Sequence, residues 1–369
     1  MKKPSPEKSR NHPKWKSSPD FVPTERDQEI LKLIYEHRFL DSKLIWHLLE
    51  SPKSHETEYK IGADGKKRPS KYGFGPKALL SRLTKLDQEK YVYRRRRADL
   101  PEGGKHGLSR LVYSLGPKSC SILPKIVDAS SSDIRKIVES NRRARTHFYE
   151  HSIKIAEFKA ILQLACNNSN GNVSLLFWEQ GQILRDFVYG MNLMGREQRL
   201  SVYPDAFFAI NVRGKGTTCF FAEFDRGSMP IIRTDDNSDI SKKVLGYWFY
   251  RKAKRHANRY FYTKYPNGEV SGLFVKDERS SNVSNIDLEP IRGFTVLFVV
   301  PGQLSTDGNT KGRIANILSS FPKFGRDVSS SALFWFSTLD MFSIEEPNSI
   351  FSKSWITPNP QKGLQSLIE

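Results

Sequence analysis

The chain has 369 residues, enough for two or three domains with cores of their own. Hydrophobic residues make up 38% and charged residues 27%, and no apolar run reaches the ~18 residues of a membrane span, so no transmembrane helix is expected. Net charge is +19, and residues 1–150 hold 33 basic against 19 acidic side chains, which leaves only +5 for the rest. Such a one-sided excess fits a polyanionic partner, with solubility through net charge as the plainer alternative.

Residues 1–22 are rich in Lys, Ser and Pro and should form a disordered basic arm. They lack the apolar core of a signal peptide. Thr24 then offers an N-cap, with Glu25 and Asp27 in the first turn of a helix that continues through Ile30, Leu31, Leu33 and Ile34. Asp41 or Ser42 can cap a second helix through Leu44, Ile45, Leu48 and Leu49. Residues 51–75 are polar and glycine-containing and read as an insertion loop. A third helix is predicted over 76–90, with Leu79, Leu80, Leu83 and Leu86 as its stripe and Lys77, Arg82 and Lys85 off it.

Two β-rich runs follow, Tyr91-Val92-Tyr93-Arg94-Arg95-Arg96-Arg97 and Leu111-Val112-Tyr113-Ser114-Leu115, around the turn Pro101-Glu102-Gly103-Gly104. Three helices and a hairpin are the order of a winged helix-turn-helix, expected over 23–120. Its third helix would supply Lys77, Arg82 and Lys85 to a DNA groove, and Arg94, Arg95, Arg96 and Arg97 would meet phosphates. Residues 121–145 read as a basic linker whose Arg142, Arg143 and Arg145 add to the DNA surface.

From His147 a helix continues to Leu164, followed by predicted strands at 173–178 and 182–188 and the runs beginning at Tyr203 and Thr217. A long helix is expected over 238–256, a buried strand over 294–300, a helix over 310–320 and a strand over 332–336. The domain is placed at 146–345, with 346–369 as a C-terminal tail. Overall the reading is α+β, a winged helix followed by an α/β domain with a mixed sheet.

Acids interrupt two of these apolar runs, Tyr203-Pro204-Asp205-Ala206 and Cys219-Phe220-Phe221-Ala222-Glu223-Phe224-Asp225. Strand alternation points Glu223 and Asp225 the same way. On neighbouring strands, Asp205, Glu223 and Asp225 can converge, and a hard cation such as Mg²⁺ or Mn²⁺ would relieve their repulsion. The plainer reading is a strand-initiating Asp205 and an ordinary ion pair at Glu223. His147 and His151 share a helix face, but surface or core roles suit them better than ligation. Glu157 and Glu179 are secondary acid candidates. Cys120, Cys166 and Cys219 form no metal-binding or disulfide pattern, which fits a reducing cytoplasm.

Pro204-Asp205 followed by Glu223-Phe224-Asp225 resembles the restriction-endonuclease-like core, whose motif ends in lysine where this chain has Asp225. The resemblance implies Asp205 and Glu223 as catalytic metal ligands, and Lys243 on the following helix as the replacement lysine. In order, Pro204-Asp205-Ala206, Glu223-Phe224-Asp225-Arg226-Gly227, Lys243 through Tyr247 or Tyr250, and Phe334-Trp335-Phe336-Ser337-Thr338 resemble the replication-relaxation family of bacterial plasmids and mobile elements. What this implies is a role in plasmid replication and DNA relaxation, with duplex DNA as partner. A nicking enzyme and a non-catalytic regulator on a nuclease-like scaffold both remain open, as do RNA as the polyanion and a homodimer as the assembly.

Overall fold

The computed structural model describes residues 21–49, 59–61, 67–69, 76–96, 111–233, 237–264, 270–276 and 287–369. The chain divides into two compact units, the first ending at Arg145 and the second spanning Thr146–Glu369. The predicted arm (but for its last two residues), Arg97 and the turn at 101–104 lie outside the described residues.

In the first unit, α1 (Glu25–His37), β1 (Leu40–Asp41), α2 (Ser42–Leu49), the short pair β2 (Tyr59–Ile61) and β3 (Lys67–Pro69), α3 (Pro76–Gln88), β4 (Val92–Arg96), β5 (Leu111–Leu115) and α4 (Ser131–Arg143) follow in order. A reciprocal capping box starts α1: Thr24 Oγ1 accepts from the Asp27 amide, and Asp27 accepts from the Thr24 amide at 2.7 Å. Ile30, Leu31, Ile34, Ile45, Leu83 and Leu86 form the core at the predicted helical spacing. β5 pairs antiparallel with both β1 and β4. The segment expected as a linker contains α4, capped by Ser130 and buried through Ile134 and Val138.

In the second unit, α5 (Thr146–Asn168) leads into β6 (Val173–Glu179), β7 (Asp186–Met191), β8 (Glu197–Val202), β9 (Ala206–Val212) and β10 (Gly216–Phe224). Next come α6 (Ile240–Lys252), α7 (Arg255–Arg259), β11 (Tyr260–Lys264), β12 (Val270–Val275), β13 (Leu288–Pro290) and β14 (Thr295–Val299). The unit closes with β15 (Gln303–Leu304), β16 (Thr310–Lys311), α8 (Arg313–Ser320), α9 (Arg326–Ser330), β17 (Phe334–Ser337), β18 (Trp355–Ile356) and β19 (Leu364–Gln365).

A seven-stranded mixed sheet runs β19-β18-β17-β14-β10-β9-β6, parallel across β10, β14 and β17 and antiparallel at both flanks. The protein is thus α+β with a mixed sheet at the centre of its second unit. Residues 346–369, expected as a tail, supply the β18–β19 edge, and fully buried Trp355 anchors it. On one face Phe158 of α5 packs against Phe208, Phe224 and Trp355. On the other, Phe221 and Phe336 pack against Tyr247 of α6, Phe294 and Phe321. Both faces of β9 and β10 are therefore covered, which explains their near-continuous apolar runs.

The predicted strand at 182–188 is displaced: β7 begins at Asp186 and pairs with β8 as a separate hairpin. The long helix expected to reach 256 stops at Lys252, and Lys254 turns the chain with a φ of 53°.

Candidate functional site

Glu223 is the anomaly of β10. It is 2% exposed in a strand that is otherwise apolar where it is buried. An isolated carboxylate there would be costly, so its oxygens need partners. They come from one face of α6: Tyr247 donates its hydroxyl to Oε1 at 2.7 Å, and Lys243 Nζ lies 2.5 Å from Oε2. Lys243 and Tyr247 are four residues apart, the spacing that stacks two side chains on one helix face. The helix is held at its start by buried Asp239, whose Oδ1 accepts the Lys242 amide at 2.7 Å and whose Oδ2 accepts the Arg233 amide at 2.6 Å.

Asp205 sits one residue before β9, beside the carboxyl end of β10. Its Oδ2 accepts the Phe224 amide at 2.8 Å, and its Oδ1 lies 2.8 Å from His151 Nε2 of α5. Asp205, Glu223, Asp225, Lys243, His151 and Phe148 line a cavity of about 230 Å³ at this strand end. That is room for a phosphate group with a few waters, at the position where open α/β sheets bind ligands.

The charges are strongly coupled. Burial raises the Glu223 carboxyl above the usual carboxylate range, with Lys243 pulling it back and Asp205 adding to the rise. Burial also opposes ionisation of Asp205, but His151 and Lys243 outweigh it and hold that carboxyl below its usual range. Burial alone would depress Lys243, yet the charges of Glu223 and Asp205 keep its ammonium above its ordinary value. Burial and Glu223 together keep Tyr247 a protonated donor.

Asp225 faces the cavity but is paired with Arg313 at the start of α8, which also donates to the Met229 carbonyl. Of the expected ligand trio, Asp205, Glu223 and Asp225 all line the cavity, and Asp225 is tied to Arg313. Among the described residues, no three His, Cys, Asp or Glu side chains are grouped to hold a metal ion. Asp205 and Glu223 still fit a magnesium-like ion, which commonly takes one or two carboxylates and fills its other positions with water and substrate phosphate. Glu157 and Glu179 do not line the cavity. The Cys219 thiol, pushed up to about 12 by burial, is no nucleophile.

The structure brings Asp205, Glu223 and Lys243 together, and three further side chains join them. His151, expected at the helix surface or in the core, pairs with Asp205. Tyr247 grips Glu223, while Tyr250, the other tyrosine considered, donates to Asp186 at 2.9 Å. Arg313 lies far along the chain, and no local pattern marks it.

The basic residues of the first unit divide into two groups. Arg82 is bound to fully buried Asp27 of α1, Arg94 pairs with Asp87 at 2.9 Å, and Arg95 donates to the backbone carbonyls of Arg142 and Ala144. Lys85 lies 4.9 Å from the Phe21 ring centre, and Arg143 pairs with Glu139 at 3.7 Å. Lys77, Arg142 and Arg145 are exposed. Arg96 belongs to β4, and Arg97 lies outside the described residues.

A family model described as replication-relaxation matches residues 31–263, from α1 to the end of β11. The match includes His151, Asp205, Glu223, Lys243 and Tyr247 and stops short of Arg313. Neither the curated proteins nor the solved structures supply a match. Among the described residues, no helix is long and apolar enough to cross a membrane.

Proposed function

The chain belongs to the replication-relaxation family, and from that premise we propose that it is a DNA-binding protein of a plasmid or mobile element that nicks DNA at Asp205, Glu223 and Lys243. The first unit serves in this reading as a winged-helix DNA-binding module, with α3 and the exposed Lys77, Arg142 and Arg145 directed to duplex DNA. The concentration of basic residues in 1–150 supports it.

One observation carries the cleavage reading. Lys243 Nζ lies 2.5 Å from Glu223 Oε2, in the same cavity as Asp205. On this reading Lys243 of α6 stands in for the lysine that the chain lacks two residues after Glu223. Asp205 and Glu223 would hold Mg²⁺ or Mn²⁺, which supplies charge stabilisation to phosphate and eases ionisation of a bound water. His151 holds Asp205 in orientation from α5. Tyr247 fixes one Glu223 oxygen and leaves the other facing Lys243, whose ammonium is positioned to orient a water or to steady charge on a phosphate oxygen.

A second reading is favoured by a specific feature: each oxygen of Asp205 and Glu223 already has a protein partner. On that reading the site is a charge-balanced remnant, and the protein is a non-catalytic replication or transcription regulator.

Plasmid conversion decides between them. With Mg²⁺ or Mn²⁺, the wild-type protein should convert supercoiled plasmid to open-circle or linear form, and chelation should stop it. Asp205→Asn and Glu223→Gln should bind DNA and not cut. A wild type that cuts neither supercoiled, linear nor single-stranded DNA with either ion leaves the regulator reading. An Asp205→Asn protein that cuts normally removes the site assignment.

A further inference from the structure

Outside the acid site, exposed apolar surface is concentrated in one place. Of the eight large hydrophobic side chains that stand exposed among the described residues, Ile183, Tyr189, Met191, Leu193 and Met194 fall within twelve positions at the β7–β8 hairpin. Clustering of this kind on a soluble unit marks a binding surface.

The hairpin's two faces differ in kind. Val188, Leu200 and Val202 point inward and join the core against α6. Contact there is close enough that a Cβ on Gly190 would come within 2.3 Å of the Phe249 ring, so only glycine fits. The hairpin is thus held firmly by its inner face. Its outer face carries Phe187, Tyr189 and Met191 on β7, opposite Ser201, Arg199 and Glu197 on β8. Arg199 lies over the Phe187 ring with its guanidinium carbon 3.9 Å from the ring centre, and Tyr189 stands edge-on to Phe187 at 5.9 Å and is 62% exposed. Asn192 ties the turn by accepting the amides of Met194 and Arg196 at 2.9 and 3.0 Å.

We propose that the outer face of the β7–β8 hairpin is a stacking platform for the unpaired bases of single-stranded DNA. An exposed tyrosine ring beside a planar guanidinium on a sheet face is a surface on which splayed bases stack, and stacking tolerates any sequence. Charge agrees with the shape. Arg185, Arg196 and Arg199 are exposed at the platform against one exposed acid, Glu197, while Asp186 beneath it is buried and paired with Arg255 at 2.9 Å. A cleft of about 620 Å³, lined by Arg185, Phe187, Arg199 and Arg259 together with the paired Asp186, borders the Phe187 ring and offers a path for the phosphate backbone. Bases paired within a duplex present no free ring face to this surface. The proposal stands apart from the cleavage reading and does not need it.

The test is fluorescence anisotropy of the full chain with a labelled oligothymidylate and with a labelled duplex of equal length. Tyr189→Ala and Arg199→Ala should each lower single-strand affinity about tenfold, and duplex affinity should stay within about twofold. Tyr189→Phe should bind as wild type, because the ring and not the hydroxyl does the stacking. Photocross-linking of wild type to an oligonucleotide bearing 5-iododeoxyuridine should map to residues 183–201, and this arm needs no variant to fold. Unchanged single-strand affinity in both alanine variants would overturn the proposal. So would equal losses on single strand and duplex, which would mark a general charge contact, or a cross-link that maps elsewhere. Retention of a protein partner but not of single strands by this face would also overturn it.

Discussion

Two buried acids are gripped from the α6 region, and they are gripped differently. Glu223 receives one lysine and one tyrosine, and it opens on a cavity shared with Asp205. Asp186 receives the Tyr250 hydroxyl and the guanidinium groups of Arg255 and Arg259. Charge is over-supplied at Asp186, where two cations face one carboxylate. At the other site three carboxylates line one cavity with Lys243 and Arg226, and Arg313 pairs with Asp225. An acid with surplus cations is an anchor. Several acids that share one open cavity are placed to meet a ligand, and that difference separates a candidate site from a structural one.

The comparison breaks most visibly in rate. Lys243→Met should reduce plasmid nicking by about 10²–10³-fold, the range for loss of one positioned charge-stabilising donor. Gel assays under single-turnover conditions read this directly. Asp186→Asn, by contrast, should nick at the wild-type rate at temperatures where it is folded. Equal losses in the two variants would erase the distinction drawn between the acids.

Stability should rank them the other way. Removing the Asp186 charge leaves Arg255 and Arg259 facing each other with no counter-ion, and breaking a buried pair on one side costs about 3–5 kcal/mol. Arg255 is partly exposed, so the loss belongs at the low end of that range. Urea denaturation of Asp186→Asn measures it. Glu223→Gln keeps the Tyr247 hydrogen bond and relieves repulsion with Asp205, so it should cost less. A Glu223→Gln protein less stable than Asp186→Asn would make Glu223 the anchor.

How much of this difference was legible in sequence follows from range. Pro204-Asp205 and Glu223 stood out because acids interrupt apolar strands, and Lys243 could be proposed from the helix that follows. Asp186 was hidden, because it begins a short hairpin strand whose partner, Glu197-Gln198-Arg199-Leu200-Ser201-Val202, carries only two apolar residues. The same weak alternation concealed the β7–β8 hairpin as a unit. Asp225 was read with Glu223 from strand alternation, correctly for its direction. Its partner Arg313 is 88 residues away, and only the fold brings them together. Arg82 lay off the apolar stripe of α3 and read as a DNA contact. Its pairing with Asp27 needs the packing of α3 on α1, which periodicity does not encode. The β18–β19 edge was invisible because each strand is two residues long.

Cation binding sharpens the same contrast without catalysis. A ligand that binds only the folded state adds about 2.7 kcal/mol at a hundredfold excess over its Kd. Mg²⁺ or Mn²⁺ should therefore raise the thermal midpoint of the wild type. Asp205→Asn should lose that increment, and Asp186→Asn should keep it. Calorimetric scans with and without the ion make the comparison. An increment that survives in Asp205→Asn places the ion elsewhere.

The smallest effect comes from the helix caps. Thr24 caps α1 in the first unit, and Asp239 caps α6 in the second. Each satisfies amides that the helix itself cannot, and replacing such a cap by alanine costs about 1 kcal/mol. Thr24→Ala should show that loss alone, since α1 carries no residue of the acid site. Asp239→Ala should show a larger loss, because its two oxygens also hold the Arg233 amide and the Ser241 hydroxyl. It should also slow nicking, since Lys243 stands in the first turn that Asp239 holds. The measurement is a pair of denaturation curves with a nicking rate for each variant. If Asp239→Ala nicks as fast as Thr24→Ala, the first turn of α6 does not need its cap to present Lys243 to Glu223, and the short contact between them is fixed by the buried carboxylate alone.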